Sequence, residues 1–285
     1  MGILKSLTRK LEEKKGPPLS RKLSEWKKCF VEPENHARVA AFCDPQSKKP
    51  CVTLCAAGAE CSCGCGEVRD AMVGELSRQG VDVTVGTMKV GCGGNCLRGP
   101  LMGFPQKQFF YVGVKAADVP RVVEETIIGG KLLFPFLSLN PERSYRSDIF
   151  YDKATGLLAT IDDQVCMVGV ARYFLTFEEN LSCGKCVPCR IGMKRALECV
   201  ERIATGEGSQ EDLNQIRSLC KIMEETPNCA FAVTSIRPLT SAVTHFEDEF
   251  RAHFEQKLCP AGRCKELVEY QRKLAIRERL GLGVK

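Results

Sequence analysis

No apolar run in this chain reaches the roughly 18 residues of a membrane-spanning helix, so membrane association is not indicated. An N-terminal signal with an apolar core and a small-residue cleavage site is also missing, which points to a cytoplasmic protein. There is no strand–GxGxxG–helix phosphate loop either. Gly91, Gly93 and Gly94 belong instead to a cysteine motif. Neither FMN nor NAD(H) is therefore expected on this chain. What the sequence has in excess is cysteine, 18 in 285 residues. In a small exported domain such a count would mean a disulfide scaffold. Without an export signal, and with the cysteines clustered, metal binding is the better account.

Negative charge is in short supply only at the start. The net charge is +6, and the first 30 residues carry nine Lys/Arg against three Glu, so the rest balances. Residues 1–48 read as a basic N-terminal extension, broken by Gly16-Pro17-Pro18. Ile3, Leu4, Leu7 and Leu11 have helical spacing, and Trp26, Phe30 and Phe42 are expected to pack on the next domain or a partner. Such a tail suits a solvated arm or a subunit contact, and nucleic acid is not the expected partner. Met1-Gly2 with Ser6 fits the loose N-myristoylation pattern, which is read as accidental. Cys29, Cys43 and Cys51 are irregularly spaced and read as plain thiols.

The chain turns on Ser182–Arg190, SCGKCVPCR. Cys183, Cys186 and Cys189 form C-x2-C-x2-C, and Cys229 follows in TPNC. Three thiolates on a tight loop and one remote thiolate suit a [4Fe–4S] cluster, one cysteine to each iron. Zinc would favour paired C-x2-C knuckles over a triplet. Gly184 lets the backbone turn closely, and Lys185 and Arg190 set positive charge beside the sulfurs.

Two further pairs, Cys55 with Cys61 in CAAGAEC and Cys92 with Cys96 in GCGGNC, follow candidate strands. One pair per iron suits a [2Fe–2S] centre, with zinc at the same thiolates as the alternative. Cys63 and Cys65 follow at once in CSCGC, so either could replace Cys61.

The coarse pattern predicts an α+β chain. Residues 49–140 read as a small α/β domain, with strands near 50–55, 81–90 and 109–114 and helices over 67–79 and 117–128. Residues 141–165 read as a connector. Residues 166–258 read as an antiparallel four-helix bundle with the cluster loop at one end. Ser209 is the expected N-cap of one helix, and Pro238 the first-turn residue of another, whose stripe Leu239, Val243, Phe246, Phe250, Phe254 marks a core face. Residues 259–285 read as a zinc knuckle and a C-terminal helix. Cys259 and Cys264 form a C-x4-C knuckle, His253 lies six residues earlier, and Cys166 precedes the helix leading to SCGKCVPCR. One histidine and three thiolates suit structural zinc, with Cys220 the rival for Cys166.

Cys55-x5-Cys61, Gly91-Cys92-x3-Cys96 and Arg98-Gly99-Pro100 resemble the thioredoxin-like [2Fe–2S] ferredoxins, whose first pair is usually C-x4-C. From about Gly156 to Tyr270 the chain resembles the C-terminal part of the NADH-oxidising flavoprotein subunit of complex I, and of its counterparts in NAD-linked, electron-bifurcating hydrogenases and formate dehydrogenases. Cys166-Met167-Val168, SCGKCVPCR, TPNC, Phe246–Phe250 and CPAGRCK at 259–265 carry that resemblance. In that family a large FMN- and NADH-binding domain separates the ferredoxin from the helices; here about 25 residues do. The resemblance implies an electron-transfer subunit without hydride chemistry of its own. Its expected partners are a flavoprotein subunit, NAD(P)H-linked, and a further iron–sulfur, hydrogenase, dehydrogenase or reductase subunit. The alternatives are an assembly or scaffold subunit with structural metals, or a redox sensor whose basic tail meets nucleic acid.

Overall fold

The four residues of Val52–Cys55 (β1) are all buried, Thr53 included, so this strand needs cover on both faces. The structure, a computed structural model, describes residues 40–55, 61–92, 98–138 and 146–280. The expected N-terminal helices, the packing of Trp26 and Phe30, Cys29 and the cluster candidate Cys96 lie outside the described residues. Cover for β1 comes first from Cys65–Gln79 (α1), which buries Val68, Met72 and Leu76 at helical spacing. Gly80 stops this helix in the left-handed conformation, φ 64°, and its N–H bonds back to the carbonyls of Leu76 and Ser77. The chain returns as Val85–Met88 (β2), parallel to β1 with Val52 opposite Val85.

The single strand expected over 81–90 is broken at Lys89. Val90–Gly91 (β3) leaves for a second sheet, because the Lys89 ammonium is held away from the first by the Val165 carbonyl, 2.8 Å, and by Glu249. A strand not foreseen from the sequence, Leu101–Phe104 (β4), pairs antiparallel with β1 and with Phe109–Val112 (β5). Leu137–Ser138 (β6) closes the order β2-β1-β4-β5-β6. Between β5 and β6, Ala116–Asp118, Val119–Arg121 (α2) and Val122–Ile128 make one continuous helical stretch of 3-10, α and π turns. It buries Val119, Val122, Val123 and Ile127 against the same core as α1. Phe42 meets Phe104 edge-on at 5.6 Å, so the expected packing of Phe42 on this domain is observed. Cys43 and Cys51 are joined by a disulfide, Cα–Cα 5.5 Å, where plain thiols were expected. Gln106 clips the intervening loop, accepting from the Asp44 N–H at 2.8 Å and donating to the Lys49 carbonyl at 3.0 Å, which brings the two sulfurs together.

The described part of the expected connector is itself folded. Ile149–Asp152 (β7) and Leu157–Thr160 (β8) form an antiparallel hairpin buried throughout, and β3 pairs with β8 to give the order β3-β8-β7. Gly156, φ 74°, makes its turn by donating to the Asp152 carbonyl at 2.8 Å. Six apolar residues in two short runs are enough to require burial, which a free linker would not provide.

From Met167–Leu181 (α3) onward the chain is helical. A π turn at Pro188–Met193 runs into Lys194–Thr205 (α4); Gln210–Glu225 (α5), Ala230–His245 (α6), Glu247–Glu255 (α7) and Lys265–Arg279 (α8) follow. Helices α3, α4, α5 and α6 touch in sequence, and α6 closes back on α3. Ser209 caps α5 as expected, in a reciprocal box with Asp212. Pro238 lies inside α6 rather than in a first turn, so the helix begins eight residues earlier than its proline suggests. The predicted stripe is shared across a break: Leu239 and Val243 on α6, Phe250 on α7, all buried in one core, with Phe246 at the junction. No described helix is long and apolar enough to cross a membrane.

Gly103 on β4 sits in close contact with β1 and with the segment that follows β8. A Cβ there would lie 2.6 Å from Thr53 Oγ1 and 3.0 Å from the Ile161 carbonyl oxygen. Gly103→Val is expected to destabilise by about 1–3 kcal/mol through overpacking. Chemical denaturation with an unchanged m-value would check it.

Candidate metal centres

Four side chains that are remote in sequence converge at the base of α3. Cys166, His253, Cys259 and Cys264 place their ligand atoms within 4.8 Å of one another. Cys166 Sγ is 3.3 Å from His253 Nε2 and 3.7 Å from Cys264 Sγ, and Cys264 Sγ is 3.4 Å from His253 Nε2. Each ligand has a structural cause. Cys166 N-caps α3, where Gly169 N–H donates to its sulfur at 3.5 Å. His253 sits in the last turn of α7, fully buried, and its Nδ1–H donates to the Glu249 carbonyl one turn earlier at 2.6 Å. That bond leaves Nε2 to face the sulfurs. The Cys259–Cys264 turn is closed by Gly262 N–H donating to the Cys259 carbonyl, 2.9 Å, and Arg263 N–H to Cys259 Sγ, 3.3 Å.

The electrostatics of this group favour charge separation. Bonds from Cys166 and Cys264 hold the Cys259 thiol far below its ordinary range. Burial opposes a charged imidazole, yet the bonds to Cys166 and Cys259 raise His253 to about 10. Three sulfurs and one imidazole, mostly buried and closely spaced, match the donor set of a closed tetrahedral zinc site. Cys220, the rival ligand, is buried on α5 and is not a member of the group.

Glu249 was not singled out from the sequence, although it lies one helical turn before His253. Its carboxylate accepts from the Met167 N–H at 3.1 Å and pairs with Lys89. A four-residue spacing from a candidate histidine ligand is the signal that would have found it.

The SCGKCVPCR loop leaves α3 at Ser182 and re-enters a helix at Pro188. Gly184, φ 65°, makes the turn, with its N–H donating to Ser182 Oγ at 3.2 Å. Cys189 is buried, Cys186 half-buried, and Cys183 and Cys229 exposed. Cys229 is the N-cap residue of α6. The Cys189 N–H and the Asn228 side chain lower the Cys186 thiol, while burial and the charges of Cys186 and Cys229 push Cys189 up to about 11. The TPNC segment therefore lies beside the loop. The four sulfurs are not drawn together as closely as the Cys166 group. A cubane holds its thiolates at separate corners, wider apart than a single ion does.

In the sheet half, Cys55, at the end of β1, is buried with Cys65, Met88, Leu101 and Phe110, and Cys61, Cys63 and Cys92 pack against that cluster. Cys61, Cys63 and Cys65 lie within 4.8 Å of one another. The structure thus gathers five of the cysteines around one apolar patch.

Residues 169–253 match the family described as the NADH-ubiquinone oxidoreductase-F iron-sulfur binding region. This part of the chain is similar to that region. The chain is also similar to named redox subunits. The NADP-reducing hydrogenase subunit HndC of Solidesulfovibrio fructosivorans is 40% identical over 116 residues, 41% of this chain and 24% of that protein. The F 2 chain of the NADH-quinone oxidoreductase of Rhizobium meliloti is 40% identical over 103 residues, 36% of this chain and 24% of that protein. The chain thus spans about a quarter of the length of these curated relatives. Among solved structures, an NAD+-reducing [NiFe]-hydrogenase in the H2-reduced state is similar at 24% identity and TM-score 0.33, over 44% of this chain and 22% of that one.

Lys89 and Glu249 are only 17% and 14% exposed, so each charge is largely withdrawn from water and faces the other. Glu249→Ala is expected to destabilise by about 3 kcal/mol or more, and the double change Lys89→Met/Glu249→Leu by less. Equilibrium unfolding of the three proteins would test this, and a double change costing as much as the single one would refute it.

Proposed function

We propose that this chain is an iron–sulfur electron-transfer subunit of a multi-subunit oxidoreductase, passing single electrons between a flavoprotein subunit, NAD(P)H-linked, and another redox subunit. The observation that carries it is SCGKCVPCR with Cys229 at its side, inside the F-type iron–sulfur binding region. Cys183, Cys186, Cys189 and Cys229 would hold a [4Fe–4S] cluster, which supplies one-electron chemistry when bound. The chain's own part is positioning. Gly184 turns the loop, α6 presents Cys229, and Lys185 and Arg190, both exposed, set positive charge beside the sulfurs. Exposed Cys183 and Cys229 leave this corner open to a partner.

The sheet half would hold a [2Fe–2S] centre at Cys55, Cys61, Cys92 and Cys96. A parallel β1–α1–β2 unit joined to the antiparallel β4–β5 pair and a following helix supports a thioredoxin-like reading. The mutual contacts of α3 to α6 support a four-helix bundle. Cys166, His253, Cys259 and Cys264 would hold structural zinc, with no open position for catalysis. A scaffold subunit with structural metals alone is the competing account. It predicts that a flavoprotein partner leaves the clusters oxidised.

Three outcomes are expected. Anaerobically purified protein should contain iron near six per chain, the sum of a [2Fe–2S] and a [4Fe–4S], and about one zinc with Zn–S near 2.3 Å by X-ray absorption. Cys186→Ala should remove one EPR signal and spare the other, whereas Cys259→Ser should spare both and loosen α8. NADH should leave the isolated chain oxidised until a flavoprotein partner is added; reduction of the chain alone would sink the proposal.

A further inference from the structure

Three thiols crowd the start of α1, and a [2Fe–2S] centre has use for only one of them beside Cys55. Resting on the reading of a [2Fe–2S] centre in the sheet half, we infer that Cys65 rather than Cys61 joins Cys55 on the first iron, and that Cys61 and Cys63 remain a separate dithiol on the rim. Any of the three is near enough to replace another, since all three sulfurs lie within 4.8 Å of one another. What separates them is their setting.

Cys65 is 4% exposed and Cys55 6%, and both belong to the interior of one apolar cluster with Met88, Leu101 and Phe110. Cys61 and Cys63 are half-buried and only pack against that cluster from outside. The two interior thiols are the best sheltered pair at the end of β1, where the apolar shell would keep water from a shared iron. Cys65 is also the first residue of α1. It is held by regular structure on both sides. Gly64, φ 77°, sets the entry to the helix, and the Gly64 carbonyl accepts from Val68 N–H at 3.1 Å. The Arg69 guanidinium, one turn further on, donates to the Leu54 carbonyl at 3.1 Å and so ties α1 to the end of β1 that carries Cys55. Ligands on two elements tied in this way keep their spacing better than a ligand in the turn before the helix.

Cys61 and Cys63 both hydrogen-bond to Cys65 and also lie against each other. Their sulfurs are 3.0 Å apart, inside the separation of two thiols in ordinary contact and outside that of a bond. Two thiols so placed can close a C-x-C disulfide by losing two electrons and two protons to a disulfide oxidant such as glutathione disulfide, which leaves as two thiols. A ring this small is strained, so the bond would be readily reversed by a reduced thiol.

The test uses the full chain, purified anaerobically with its iron. Cys61→Ser/Cys63→Ser should keep the [2Fe–2S] EPR signal of the dithionite-reduced protein with unchanged g-values. Cys65→Ser should lose or shift that signal while the [4Fe–4S] signal persists, which shows that the variant is folded. In the unaltered protein, iodoacetamide should label Cys61 and Cys63 with the iron in place. Loss of the signal in the double variant, or a Cys61 that is protected until the iron is chelated out, would overturn the assignment. Protection of all three thiols together with zinc in place of iron would mean a single ion on the triad, and would overturn it as well. Failure of the parent reading looks different: the unaltered chain would show no [2Fe–2S] signal and an iron content near four, that of the [4Fe–4S] alone.

Discussion

The Lys89–Glu249 pair sits where the two halves of this unit meet. Lys89 separates β2 from β3 and so divides one expected strand between two sheets. Glu249 belongs to α7, receives the first N–H of α3 and, through its own carbonyl, orients His253. Removing either charge leaves the other in a mostly dry setting, which is far more costly than the pair itself. The position of Cys166, the tilt of His253 and the path of the chain from sheet to sheet therefore share one support. The carboxylate stands one step behind the candidate ligands, where it supports their geometry and is not among the four grouped ligand atoms.

Most of what was legible in the sequence was local. The β1 strand, the stop of α1 at Gly80, the Ser209 cap and the core stripe through Phe250 follow from spacing and capping chemistry, and they appear where those predict. The grouping of Cys166 with His253, Cys259 and Cys264 was expected from the knuckle and from the family resemblance, with Cys220 as the rival, and these four ligand atoms do lie within 4.8 Å of one another. The failures have a common physical origin in contacts remote along the chain. Nothing near Lys89 announces that Glu249 will take its ammonium, so the strand break was invisible. The β7–β8 hairpin was hidden among charged neighbours, since its burial depends on a β3 that lies far upstream. Pro238 looked like a helix start, yet α6 continues through it. Its ring removes one donor, and the surrounding core keeps the helix together.

The two halves differ in how tightly their sulfurs are prearranged. At the C-terminal end the protein alone brings four ligand atoms to within bonding reach of one ion. In the SCGKCVPCR loop it sets a wider frame, with one thiol buried, one half-buried and one open to solvent. Around β1 it offers more thiols than a two-iron centre takes. A single ion asks for one compact point, whereas a cubane spreads its demands over several irons, so a closed pocket suits the first and an open loop the second.

Cys166 and Cys264 lie 98 positions apart, and helices α3 to α7 are strung between them. A polypeptide emerges from the ribosome N-terminus first, so Cys166 is made early and must wait for Cys259 and Cys264. The cluster loop and every helix of the ring exist before that last knuckle appears. Closing so long a loop costs only ~2 kcal/mol more than closing one a tenth as long, because the entropy grows with the logarithm of its length. Order of synthesis, rather than distance along the chain, decides when the knot is tied. The C-terminal clasp is thus a step that a nascent chain can complete only after its iron–sulfur region has been fully made.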